Sequence, residues 1–102
     1  MGQAPKLDEV IAILRAHEDF YRAKGVTRMA VFGSVARGDA GPDSDVDLVI
    51  DYDRDSRFSL LTLCGVQNET ADWLGRKVDM LTWDGLKPGI SHRVVKEAAD
   101  VF

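Results

Sequence analysis

Two carboxylates and one glycine–serine turn are the parts of this chain best suited to chemistry. Asp45 and Asp47 stand two apart in Ser44-Asp45-Val46-Asp47-Leu48. The run Val46-Asp47-Leu48-Val49-Ile50 is apolar and β-branched, which is the composition of a strand. Side chains alternate along a strand, so Val46, Leu48 and Ile50 take one face, and Asp45 and Asp47 take the other. Ionised carboxylates held side by side repel, and a divalent cation removes that cost. Magnesium fits, because it takes oxygen ligands and commonly binds through one or two carboxylates plus substrate phosphates. Taken alone, Asp-x-Asp on a strand is more often a pair of solvated surface charges.

The second half of the signal lies upstream. Gly33-Ser34 ends the apolar run Met29-Ala30-Val31-Phe32, and Val35-Ala36-Arg37 can begin a helical turn with Ser34 as its N-cap. Free N–H groups at such a turn attract anions, glycine lets a phosphate come close, and Arg37 offers a planar fork of donors. A Gly-Ser turn alone is ordinary. Followed by a loop and then Asp-x-Asp on a strand, it sets a phosphate cradle beside a carboxylate pair.

The stretch Gly33-Ser34-Val35-Ala36-Arg37-Gly38-Asp39, with Ser44-Asp45-Val46-Asp47-Leu48 after it, resembles the signature of the DNA polymerase beta-like nucleotidyltransferase superfamily. The short chain is most similar to the minimal nucleotidyltransferase branch of that superfamily. The resemblance implies an α/β (α+β) fold: a small mixed sheet with flanking helices, like the polymerase beta palm. It implies ATP as substrate, two magnesium ions on Asp45 and Asp47, and the triphosphate near Gly33, Ser34 and Arg37. Asp79, in Arg76-Lys77-Val78-Asp79-Met80-Leu81, resembles the third-carboxylate strand and would either assist the metals or act as the base. The implied reaction moves AMP to a hydroxyl, by resemblance a tyrosine of a HEPN-domain toxin, which makes the chain an antitoxin. Two other classes stay open. One is an antitoxin that neutralises by binding, through apolar positions on the last helix with Trp83 at its approach. The other is an antibiotic-type adenylyltransferase acting on a small molecule.

Composition agrees with a small enzyme. The 102 residues suit one domain over 1–102, with 45% hydrophobic and 29% charged residues. A net charge of −4 argues against a broad phosphate-backbone footprint, so no direct nucleic-acid binding is expected. Cys64 is the only cysteine, which excludes an internal disulfide and fits a reducing cytoplasm. No run reaches membrane-spanning length, and no signal peptide is evident. Met1-Gly2 hints at acylation, but Lys6 stands where that motif needs Ser or Thr. The composition is compatible with a homo-oligomer.

The pattern predicts the supporting elements in order. Residues 1–6 read as a loose end. A helix spans 7 to about 24, with His17 packed on or beside its apolar stripe and Gly25 as its stop. Strands are expected over 26–32, 46–50 and 76–81, and helices over 58–74 and 90–102. Asp39 and Asp43 read as solvated loop charges. Asp51 shares the face of Asp47 and reads as solvated, with an outer role at the site as the alternative. Cys64 is expected to be buried, and His92 to lie at the surface. The tight link between the first two strands permits antiparallel pairing, and the helical crossover makes the second and third parallel.

Overall fold

The computed structural model describes residues 3–102. Met1 and Gly2, where the acylation signal would fall, lie outside the described residues. Gln3 is tied down rather than loose, because its carbonyl accepts a 2.6 Å hydrogen bond from Arg76 Nη2.

The order of elements is α1 (Leu7–Ala16), α2 (Glu18–Ala23), β1 (Val26–Phe32), α3 (Gly33–Arg37), β2 (Val46–Tyr52), α4 (Leu60–Leu74), β3 (Val78–Thr82), α5 (Pro88–Glu97) and β4 (Ala99–Asp100). A short 3₁₀ turn, Trp83–Gly85, precedes α5. The strands form one mixed sheet in the order β3-β2-β1-β4. As expected, β1 and β2 are antiparallel and β2 and β3 are parallel.

The sheet buries apolar residues on both faces, which is why β2 reads as a near-continuous apolar run. On one face Met29, Val31, Leu48, Ile50 and Met80 pack with Val10 and Leu14 of α1, Tyr21 of α2 and Val66 of α4. On the other face Ala30 and Val49 pack under Val94 of α5, with Phe32, Trp83, Leu86 and Ala98 around them. Trp83 is therefore half-buried packing, not the exposed interface side chain expected. Helix α4 also reaches the sheet through a polar side chain: Gln67 Oε1 accepts from Met80 N at 3.0 Å.

Three expectations need correction here. The first helix breaks at His17, where ψ is 19°, and the His17 ring stacks on Trp73 at 3.6 Å. The break lets α2 turn while the apolar spacing continues, so no Gly or Pro marks it. The last helix ends at Glu97 rather than running to 102. The remaining residues add β4, pairing Ala30 with Asp100 and Val31 with Ala99. Val101 N then donates to Met29 O at 2.8 Å. Cys64 is exposed, because α4 turns Val66 and Thr70 inward and carries Leu60, Leu61 and Cys64 outward. His92 is at the surface as expected. Among the described residues, no helix is long and apolar enough to cross a membrane.

Candidate active site

Backbone pairing assembles the site. The antiparallel β1–β2 register sets Phe32 opposite Asp47, so the turn that follows Phe32 begins beside that carboxylate. The parallel β2–β3 register sets Asp79 opposite Asp47. Asp45 immediately precedes β2, and Val46 N is held by Lys77 O at 3.0 Å. Asp47 and Asp79 therefore share the sheet face that α5 partly covers, one strand apart. Asp47 is half-buried and Asp79 is exposed.

Gly33 is where the turn and the carboxylate meet. Its φ of +75° lies in the left-handed region. A Cβ built there would overlap Asp47 Oδ2 and lie 3.2 Å from Asp47 Cγ. The absent side chain is what allows Asp47 to lie against the turn. Ser34 does not cap the helix, because Phe32 holds the N-cap position and α3 starts at Gly33. Ser34 instead sits inside the first turn, and its carbonyl accepts from Asp39 N at 3.0 Å.

Charge is concentrated here. Asp47 has its pKa raised above the usual carboxylate value, first by burial and then by the neighbouring charges of Asp79 and Asp45; Arg37 opposes the rise. The three carboxylates are thus close enough to repel. Lys77, which the sequence reading did not single out, places Nζ 3.9 Å from Asp45 Oδ2. Arg37 is not a bare loop charge. Its Nε donates to Asp39 and its Nη1 to Glu97, both at 3.2 Å. Asp39 thus has a partner in place of the purely solvated role expected. Asp51 is bound elsewhere, accepting from Arg54 Nη1 at 2.9 Å, and its carboxylate also accepts from Tyr52 N.

The donor set suits a hard divalent cation. It consists of carboxylate oxygens, those of Asp47 made reluctant to ionise first by burial and then by its neighbours, and a cation would relieve the repulsion. Among the described residues, no group of three or more His, Cys, Asp or Glu side chains is placed to hold a metal ion, so an ion here would rest on one or two carboxylates. Such a site suits magnesium, which keeps places for water and substrate phosphate.

A sheet that brings a glycine turn and carboxylates to one end is an arrangement suited to phosphate chemistry, and comparison with known proteins shows the family. The chain belongs to the nucleotidyltransferase domain family, whose profile matches residues 10–101. It is 38% identical over 96 residues to the protein adenylyltransferase MntA of Thermococcus cleftensis, covering 93% of this chain and 95% of that protein. A candidate protein adenylyltransferase of Methanocaldococcus jannaschii is 34% identical, with 92% and 91% covered. A solved minimal nucleotidyltransferase superposes with a TM-score of 0.80 at 33% identity, covering 96% of this chain and 98% of that one. At lower identity, the same fold occurs in two toxin–antitoxin structures. One is a crystal structure with AMP-PNP, with a TM-score of 0.70, 16% identity, and 96% and 73% covered. The other is a tri-AMPylated Shewanella oneidensis HEPN toxin with its MNT antitoxin, with a TM-score of 0.60, 14% identity, and 94% and 68% covered. The chain is thus an enzyme of the minimal nucleotidyltransferase branch.

Proposed function

We propose that the chain transfers AMP from ATP to a hydroxyl of a protein partner, a tyrosine of a HEPN-domain toxin, and so acts as an antitoxin. The observation that carries this reading is Asp47 set between Asp79 and the Gly33 turn. The likeness to the Thermococcus protein adenylyltransferase over nearly the whole chain supports the protein acceptor. The AMP-PNP and AMPylated-toxin complexes of the same fold support ATP and the HEPN partner. The chain would work as a single domain in the cytoplasm, where ATP and a reduced Cys64 both belong.

The roles follow from position. The Gly33-Ser34 turn receives the phosphates, since a backbone without a Cβ can approach them. Arg37 adds a positive fork at the end of that turn. Asp45 and Asp47, with Asp79 beside them, would hold magnesium, which would supply positive charge at the attacking and leaving oxygens. Asp79 is exposed, which suits it to take the proton from the acceptor hydroxyl. The freed oxygen bonds to the α-phosphorus, the bond from that phosphorus to the bridging oxygen breaks, and pyrophosphate leaves with the electron pair. Most of the acceleration comes from positioning and charge, as in phosphoryl chemistry generally.

The test is label transfer in lysate of the native host with magnesium and ATP labelled at the α- or the γ-phosphate. The expected result is α label, not γ, on one protein band, lost when Asp45→Asn and Asp47→Asn are combined. Undiminished transfer by the double variant would sink the mechanism. Transfer of neither label would favour neutralisation by binding, for which Ile90 and Val95 on α5, 49% and 66% exposed, are the candidate contacts.

A further inference from the structure

We propose that Glu97, in the last turn of α5, is a positioning residue for the nucleotide's phosphates, acting through Arg37. The inference rests on the function proposed above and deepens it. Arg37 closes the short helix that begins at Gly33. Its guanidinium is held at two points, Nε on Asp39 Oδ2 and Nη1 on Glu97 Oε2, each at 3.2 Å. A guanidinium carries five N–H donors. These two contacts leave one on Nη1 and both on Nη2, and that outer edge is the fork that matches a phosphate. The side chain is 44% exposed, so a ligand can reach it. Its charge is felt at Asp47, which places it within electrostatic range of the carboxylates.

The two anchors differ in origin. Asp39 belongs to the same loop, two residues on, and moves with Arg37. Glu97 comes from 60 residues away and ties the guanidinium to the helix covering the site's face of the sheet. A long arginine side chain loses much rotamer freedom when it grips a phosphate. Held at two points beforehand, Arg37 loses less on binding. Exposed ion pairs add little to folding, so the fold itself has small need of this contact. The same carboxylates repel an incoming polyanion. They hold other N–H groups than the outer fork, which makes positioning the dominant effect.

The test is calorimetric titration of the full chain, with magnesium present, by AMP-PNP and separately by AMP. The proteins are the wild type, E97A, E97Q, R37A and R37A/E97A. E97A should weaken AMP-PNP binding about three- to five-fold, the size of one exposed charged contact, and leave AMP binding unchanged. E97Q keeps an acceptor oxygen and should lose less. In the R37A background, E97A should change nothing further. The thermal midpoints of the Glu97 variants should stay near the wild type. Equal weakening toward both ligands, an E97A effect that survives without Arg37, or tighter AMP-PNP binding by E97A overturns the proposal. A wild type that binds neither ligand overturns the nucleotide reading as a whole, and that result is distinct from binding that ignores Glu97.

Discussion

Replacing Gly33 by alanine should separate stability from activity. Two costs arise at this position. The backbone sits at φ +75°, where an L-residue costs about 1–2 kcal/mol. Part is offset because alanine also restricts the unfolded chain, by about 0.4–1 kcal/mol. The net loss is about 1 kcal/mol, a fall in Tm of about 4–8 °C for a chain of this size. The second cost is the overlap of the new Cβ with Asp47 Oδ2. That oxygen is the far end of a side chain that can rotate away, so the clash adds little to the folding cost. The group that rotates is the one proposed to hold the metal. A displacement of about 1 Å at reacting groups can cost about a hundredfold in rate. Gly75→Ala is the control. Gly75 has φ +66° and no atom within 4 Å of the built Cβ, so it carries the backbone strain without the clash. Melting curves and α-label transfer on both variants read the two costs. The expectation is similar Tm losses, with transfer near normal in Gly75→Ala and reduced about a hundredfold in Gly33→Ala. Gly33→Ala activity within about threefold of Gly75→Ala would refute the role given to that contact.

Asp47→Asn should stabilise the metal-free protein at neutral pH. A carboxyl whose folded pKa is raised destabilises the fold once ionised, so stability falls as pH rises through the carboxylate range. The gain from Asn should vanish below about pH 3.9, the unfolded value, and shrink when magnesium is added; melting curves against pH check both. Asp79→Asn should cut transfer by about 10²–10⁴ if Asp79 takes the proton, with AMP-PNP affinity nearly kept; a loss seen only in affinity would assign Asp79 to the metals instead. Buried Tyr21 shares a 2.6 Å hydrogen bond with Thr70 Oγ1, which itself donates to Val66 O, so Tyr21 is the donor. Thr70→Val should therefore cost about 1–3 kcal/mol by leaving the phenol unpaired, and adding Tyr21→Phe should restore much of it; additive losses in denaturant melts would reject this. Burial pushes the Tyr21 phenol up to about 12, so its stabilising effect is complete below about pH 10 and lost as pH rises toward 12.

The site was legible in sequence to the extent that backbone rules fixed it. Gly33 had to be glycine for a turn with positive φ, and the two-residue period put Asp45 and Asp47 on the face away from Leu48. The same period placed Asp79 on the face away from buried Val78 and Met80, but only the resemblance of its strand singled it out. What stayed hidden lacked a period or lay far apart in the chain. β4 has two residues, too few to alternate, and follows α5 with no glycine to mark the end. The pairing of Arg37 with Glu97 spans 60 positions, and no local spacing predicts it. The outward turn of Cys64 was hidden because α4 is apolar on both sides of its first turns, with Leu60 and Leu61 77% and 83% exposed.

The mixed sheet is what brings these groups to one end. In an antiparallel pair, the end of one strand lies beside the start of the next, so the turn after Phe32 meets Asp47 near the start of β2. In a parallel pair, the starts lie together, so Asp79, second in β3, meets Asp47, second in β2. Reversing either relation would move one partner to the far end of the sheet. The short polar loop 38–45 permits the first relation, and the crossover through α4 permits the second. One sheet thus collects a glycine turn and three aspartates from segments beginning at 33, 45 and 79. Asp79 is exposed on the edge strand β3, so in the proposed reaction an acceptor carried on another protein would reach it without any opening of the fold.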